Sequence, residues 1–493
     1  MLFPINIRSS SRIFPNYSWA WPTAHTEQLL RAAALKDEEV AKKLFKDWMT
    51  SYDIDDVHWK EQRLLLPIAA RFSENDISVP NRARLNGLVR MFWTKSRLSL
   101  RSSEPAIQKL TNAGIEVLLF KGAARAASSQ NNIKGRIISD VDILIRPAQF
   151  KEALRILNED GWETKNGRSL CYAQTLADGI VGLNFIKGEF GDIDIHQSLF
   201  RVLGAEQQLD EDVWNRSSVV DFMGTQARIP CETDMLLIAI AHGSVDGHRH
   251  SDWIVDCDNV ISSGNIDWDL FVNLIKKRNL APHAAIVLSF LSHRLQSPIP
   301  EEVLEKVGNL GKKRLPALLS ALLQARPLEN HTIISSLGRS YFKRIQFRKQ
   351  LQSTNPINRN TFSVIKMSKV RKVAAENKTI DTAGCTCEFE VPANAKGLTV
   401  TIKASMNVKK RRCVYELNSS DFHIARMMYR HKGDEGDYLL KARIPLPINS
   451  RSTQSQQVKF EARPRKLLVL GEEPEKADAL GKLPFSIHSI DFW

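Results

Sequence analysis

The sequence predicts an α+β fold: a mixed β-sheet core flanked by helical segments, followed by a C-terminal all-β sandwich domain. Three observations predict it. Apolar residues recur at three-to-four spacing before residue 112 and again after 205, short apolar strands alternate with helices between them, and residues from 381 onward break into short alternating runs. At 493 residues the chain has room for several domains of ordinary size.

Residues 1–112 read as an N-terminal helical region packing on the core, with amphipathic helices over 26–48, over 81–100 (Leu85, Leu88, Met91, Phe92 and Leu98 inward) and over 104–114, where Gly114 suits a C-terminal cap. Residues 113–204 form the core. Ile115–Phe120 (IEVLLF) is a short strand, Gly122 opens a small-residue helix, and 139–146 (SDVDILIR) is an alternating strand stopped by Pro147. An amphipathic helix over 149–161 buries Ala153, Leu154, Ile156 and Leu157, and strands follow over 180–187 and 191–198. Residues 205–330 turn helical again, with helices expected over 234–242 and 252–261. Residues 331–380 read as a basic linker, and the runs CTCEFEVP, GLTVTIKASM, RCVYEL, DYLLKARIPLPI, QVKFEAR and FSIHSIDFW favour a sandwich over 381–493.

The net charge is +14, and the linker concentrates it: eleven Lys and Arg (Arg339, Lys343, Arg344, Arg348, Lys349, Arg359, Lys366, Lys369, Arg371, Lys372, Lys378) against one acid, Glu376. Such a stretch attracts a polyanion (nucleic acid, anionic glycan or membrane surface) or serves as a solvated linker. Six cysteines do not make a disulfide scaffold or a paired zinc pattern, and the lone C-x-C of Cys385 and Cys387 reads as strand thiols. The longest apolar runs, such as 235–241, are far short of the roughly 20 residues of a membrane span, so no transmembrane segment is expected. Pro4 and Arg8 interrupt the start where a secretory signal needs a continuous apolar stretch, so a cytoplasmic location is expected.

The chemistry concentrates in two D-x-D pairs. Asp140 and Asp142 leave one face of a strand while Val141, Ile143 and Ile145 point to the other, and Asp192, Asp194 and His196 repeat the pattern. Carboxylates so close are costly unless a cation neutralises them, and hard divalent ions prefer oxygen ligands. One such motif is equally the solvated face of an amphipathic strand; two of them in one α/β block favour a shared site. Three carboxylates can hold two divalent ions about 3.5 to 4 Å apart, as nucleotidyl transfer requires. Upstream, Lys121 and Gly122 sit where a strand turns into a helix, a place for phosphate oxygens to meet free N–H groups, the helix dipole and an ammonium. His242, Trp253 and Asp256 are candidates to line the cleft from the second helical region. The histidines 242, 248 and 250 are separated by a Gly-rich loop and do not read as a zinc site.

The series VLLFKGAA, then RIISDVDILIRP with Arg136, Ser139, Asp140 and Asp142, then DIDIH ending at His196, resembles the uncharacterised nucleotidyltransferase family of the polymerase-β-like superfamily. TDMLLIAIAH and DWIVDCDNVI extend the resemblance, which covers roughly residues 25–300. It implies a nucleotidyltransferase-type core, two divalent ions (Mg²⁺ or Mn²⁺), a nucleoside triphosphate donor and a substrate-binding role for the helical domain 205–330. It further implies that Asp140, Asp142 and Asp194 are the metal carboxylates, with Asp194 also the base. Lys121, Gly122, Arg136 and Ser139 hold the triphosphate side, and His196, His242, Trp253 and Asp256 lie toward the substrate. The sequence departs from the superfamily in carrying Lys-Gly where Gly-Ser or Gly-Gly is usual, and Gln197 where an aromatic is expected. The implied reaction transfers a nucleoside monophosphate, AMP by expectation, to a hydroxyl of an unidentified acceptor (protein, nucleic acid or glycan) with release of pyrophosphate. The alternatives are a catalytically inactive binding or regulatory protein of the same fold, and a glycan-associated accessory protein acting through its C-terminal β-domain.

Overall fold

The computed structural model describes residues 22–128, 135–165, 181–200, 207–245 and 250–312, the single positions 321 and 337, and then 364–366, 368–373, 386–392, 395–406, 411–419, 423–431, 434–445, 456–463 and 485–493. The chain divides into two compact units, residues 1–162 with 181–351, and residues 163–180 with 352–493.

The first unit opens with helices α1 (Ala24–Ala34), α2 (Glu38–Ser51), α3 (Trp59–Arg71) and α4 (Arg82–Asn112). The single helix expected over 26–48 is in fact two, because the Asp37 carboxylate accepts from Val40 N at 3.1 Å and starts α2 afresh. Conversely, the helices expected over 81–100 and 104–114 are one, with Pro105 inside it. Proline forfeits one backbone bond, but the small buried side chains of Ser96, Ser99 and Ser103 let α4 lie close to the sheet. Ser96 Oγ accepts from Ile138 N at 3.0 Å and Ser99 Oγ donates to Ser139 O at 3.2 Å, tying the helix to the segment that enters the carboxylate strand. Gly114, at φ 76°, ends the helix as expected, with Ile115 N returning to Leu110 O at 3.0 Å.

The sheet of this unit contains β1 (Leu118–Leu119), β2 (Val141–Leu144), β3 (Gly182–Lys187), β4 (Gly191–His196), β5 (Ser218–Phe222) and β6 (Thr225–Ile229), in the spatial order β3-β4-β2-β1-β6-β5. The pairs β2–β4 and β1–β6 are parallel and the rest antiparallel. Helices α5 (Lys121–Ser128) and α6 (Pro147–Glu159) follow β1 and β2. Strands β5 and β6 correct the expectation of an all-helical stretch from 205. Their two-residue turn has Met223 at φ 56° and Gly224 at φ 98°, a mirror-image turn whose twist suits a hairpin.

Helices α7 (Gln207–Arg216), α8 (Glu232–Val245), α9 (Asp252–Ser262), α10 (Trp268–Lys277), α11 (Ala281–Phe290) and α12 (Glu301–Lys312) make up the second helical group. One apolar cluster joins these helices to α1–α3 and to Leu118, Phe120 and Leu144 of the sheet, so the carboxylate side of the sheet faces helices rather than open solvent. The buried Arg278 guanidinium lies over the Phe200 ring and pairs with Asp210 at 2.7 Å; Asp210 in turn accepts from Ser198 Oγ and Leu199 N, pinning the chain just beyond β4. Among the described residues no helix is long and apolar enough to cross a membrane.

The second unit is all β. One sheet runs β9 (Thr386–Val391), β14 (Gln456–Arg463), β11 (Arg411–Ser419), β12 (His423–His431), β7 (Val364–Lys366); the other runs β15 (Phe485–Phe492), β10 (Gly397–Met406), β13 (Gly436–Pro445), β8 (Ser368–Val373). All pairs are antiparallel except β12–β7. Leu398, Val400, Ile402 and Ala404 stand opposite Ile444, Ala442, Leu440 and Tyr438, making one buried apolar face, the alternation expected of half-buried strands. Strands β7 and β8 correct the reading of 331–380 as linker throughout: Lys366, Lys369, Arg371 and Lys372 lie on them, while the basic positions 339–359 and 378 lie outside the described residues. Cys387 is on β9, and Cys385 lies outside the described residues.

Two glycines of the first unit give opposite expectations. A Cβ at Gly243 would fall 2.1 Å from the Trp253 ring, whereas one at Gly87, within α4, would meet nothing within 4 Å. Gly243→Ala is predicted to lose roughly 1–3 kcal/mol by overpacking. Gly87→Ala is predicted to gain about 0.5–1 kcal/mol from helix propensity. Urea unfolding of both variants checks this.

Candidate active site

Strand β2 is four residues long and wholly buried, because β1 covers one edge and β4 the other. Val141 and Ile143 turn to the face where α4 packs, which sends Asp142 and Leu144 to the opposite face. The parallel register then sets Asp142 beside Asp194 and Leu144 beside His196. Sequence alternation predicted the shared face; the pairing of the two strands supplies the convergence. One oxygen each of Asp142 and Asp194 and one nitrogen of His196 lie within 4.8 Å of one another.

Lys121 is the cation of this cluster. Its Nζ stands 2.5 Å from Asp142 Oδ1. Its backbone is in the left-handed region at φ 52°, uncommon for a residue with a side chain, at the point where β1 turns into α5. Burial alone would lower its pKa, but the charges of Asp142 and Asp194 outweigh that and hold the ammonium above the ordinary lysine value. For Asp142, burial is the leading effect; Lys121 opposes it, Asp140 and Asp194 reinforce it, and the carboxyl is pushed up to about 8. One lysine therefore does not satisfy the negative charge gathered here.

Asp140 is half-buried at the start of β2, hydrogen-bonded to Ser139 Oγ at 3.1 Å. It lies outside the close set of three donors, yet its charge acts on Asp142, Lys121 and Arg63. His196 is the third member of the close set. Its ring sits edge-on to Phe120 with centroids 5.0 Å apart, and its Nε2 is 2.9 Å from Asp194 Oδ2. Gly182, directly opposite on β3, makes room for it: a Cβ there would stand 3.0 Å from the imidazole Cγ. Asn184 is register partner to Asp194 on the same strand, a neighbour that the run GLNFIK did not announce. The two carboxylates and the buried imidazole are a donor set that fits a divalent cation.

The other expected site residues separate into two groups. His242 lies near the centre, 6.2 Å ring to ring from His196, and donates Nε2–H to Leu199 O at 2.7 Å. Trp253 is buried against Gly243 in the helical core and does not line the site, because the glycine leaves a slot that the indole fills. His250 binds Asp252 through Nδ1 at 2.7 Å, and His248 lies outside the described residues.

Arg136, Gly122 and Asp256 belong to a guanidinium cluster beside the carboxylates. Asp256 pairs with Arg136 and, at 3.3 Å, with Arg125; Arg63 pairs with Asp252 at 2.6 Å. Gly122 accommodates Arg136, since a Cβ would stand 3.2 Å from its Nε. Burial is the leading effect on Arg136, and with repulsion from Arg125 and Arg63 it outweighs the attraction of Asp252, bringing the pKa down to about 10. Arg125, Arg136, Arg71, Lys36, Asp252 and Asp256 line a cavity of about 380 Å³. Arg63, Arg125 and Asp252 carry no motif and were not singled out from the sequence; only the fold gathers them.

Asp256 is the hinge of that cluster. Asp256→Asn leaves two buried guanidiniums short of their carboxylate, and a loss of about 3–5 kcal/mol is predicted in urea unfolding. Adding Arg136→Met to that variant is predicted to recover part of the loss; full additivity would contradict the pairing.

Comparison with known proteins bears on the first unit. No curated protein and no solved structure matches the chain. Residues 58–296 match a family model described as an uncharacterised nucleotidyltransferase, and that span holds α3 through α11, β1 through β6 and every site residue named above except Lys36. Over residues 58–296 the chain is thus similar to that nucleotidyltransferase family.

Proposed function

We propose that the chain transfers a nucleoside monophosphate, AMP by preference, from a triphosphate to a hydroxyl acceptor with release of pyrophosphate. The observation that carries this reading is the side-by-side register of Asp142 and Asp194 on parallel strands, with Lys121 against them. Asp142 and Asp194 would hold the divalent ion, Mg²⁺ or Mn²⁺, with Asp140 at the rim joining for a second ion. When bound, such ions neutralise the charge of the triphosphate and of the departing pyrophosphate. Asp194 would accept the acceptor's proton, a reading supported by its being the more exposed of the two central carboxylates at 15% against 5%. Lys121 would supply a positive charge for phosphate oxygens, with the Gly122 turn next to it and Ser139 beside Asp140. The cavity walled by Arg125 and Arg136 has the size of a small-molecule site and suits an anionic substrate portion. The acceptor and any polyanion on the basic positions of the C-terminal region are to be found by experiment.

One observation favours a second reading, a nucleotide-binding protein without turnover: the Lys121 ammonium already satisfies part of Asp142. Incubating the whole chain with each labelled triphosphate and Mg²⁺ or Mn²⁺, with protein, RNA and glycan acceptors, separates the two. Pyrophosphate release with label on an acceptor is the expected result. Binding without release under every combination selects the second reading. Asp194→Asn is predicted to lower kcat by roughly 10²–10⁴ with the circular dichroism unchanged. Full activity in that variant would sink its assignment as base.

A further inference from the structure

The feature that the proposed reaction leaves unused is His196. It is 2% exposed, and among the described residues neither ring nitrogen makes a hydrogen bond. A buried imidazole in that condition is costly unless something else engages it. Its Nε2 approaches Asp194 Oδ2 to 2.9 Å without hydrogen-bond geometry. Two donors each about 2.1 Å from one ion and at right angles to each other are about 3.0 Å apart, the cis edge of an octahedron. The spacing of His196 and Asp194 is that edge, and Asp142 on the neighbouring strand completes a three-donor set within 4.8 Å. His242, the other imidazole nearby, is committed through its Nε2 to Leu199 O.

We propose that Asp142, Asp194 and His196 bind one resident ion in the nucleotide-free protein, and that the imidazole makes the site prefer a first-row transition ion such as Mn²⁺ over Mg²⁺. The proposal rests on the carboxylate pair of the preceding section and adds a nitrogen ligand to it. Mg²⁺ prefers oxygen donors and gives up water reluctantly, whereas first-row transition ions accept an imidazole more readily, Mn²⁺ least among them. Charge supports a single resident ion. With an ion displacing the Asp142 proton, Asp140, Asp142 and Asp194 would carry three negative charges against one positive on Lys121, a balance that one divalent cation closes; a second ion would need the negative charge of a triphosphate beside it. Gly182 has a specific duty here, since it keeps the imidazole upright on the neighbouring strand.

The test uses the full chain stripped with a chelator and titrated with Mn²⁺ alone, with Mg²⁺ alone, and with both in competition, by calorimetry and electron paramagnetic resonance. Wild type is expected to take one Mn²⁺ per chain, at least about tenfold tighter than Mg²⁺, with nitrogen coupling to the bound Mn²⁺ in pulsed resonance. His196→Gln is expected to lose about 10–100-fold in Mn²⁺ affinity and to lose the nitrogen coupling, while Mg²⁺ affinity changes little. Asp142→Asn is expected to lose both ions. Wild-type Mn²⁺ bound without nitrogen coupling overturns the role of His196 even if His196→Gln folds poorly. Loss of both ions in Asp142→Asn with undiminished Mn²⁺ affinity in His196→Gln overturns the histidine alone and leaves the carboxylate pair standing. Unchanged binding in Asp142→Asn overturns both.

Discussion

The parallel pairing of Val141–Leu144 with Gly191–His196 is the constraint on which the rest of the site depends. Register in a sheet is all or nothing for side-chain direction, since a slip of one residue would send Asp194 into the apolar layer occupied by Ile193 and Ile195. Burial of those two isoleucines, with Val141 and Ile143 beside them, therefore fixes where the carboxylates stand. The hydrophobic layer under α4 and the charged layer above it are two consequences of one alternation.

The charged layer is costly, and the surrounding fold is arranged around that cost. Lys121 is held in a left-handed turn with its ammonium on Asp142, and the Asp142 carboxyl is still pushed up to about 8. Strain and unsatisfied charge at one spot are what functional sites retain when stability alone would remove them. The neighbouring guanidiniums face the same problem with opposite sign. Arg63, Arg125 and Arg136 are drawn together by Asp252 and Asp256, and Gly122 gives up its side chain to seat one of them. Acidic and basic clusters thus lie side by side.

Much of the core was legible because its signals are local. Alternation announced the faces of both D-x-D strands, Pro147 marked the stop after the first of them although it in fact opens α6, and Gly114 marked the end of α4. What stayed hidden depends on pairings between distant segments. Nothing in RIISDVDIL says that Ser99 of a remote helix will hold Ser139 O, and nothing near Pro105 says that buried serines will carry the helix through it. The hairpin Ser218–Phe222 and Thr225–Ile229 was readable from its Met-Gly turn, but it lies in a helix-rich stretch and its partner strand is a hundred residues upstream. His196 was expected near the substrate; the structure sets it beside the Asp142 and Asp194 carboxylates, and only the ladder shows that Gly182 clears the space for its ring.

The account's central claim is that these two strands make one cation site. Crystals of the full chain grown with Mn²⁺ and measured at the manganese absorption edge test it most directly. The account predicts an anomalous peak between Asp142 and Asp194, within bonding distance of both carboxylates. The two carboxylates facing apart, with the manganese bound elsewhere or nowhere, would contradict it.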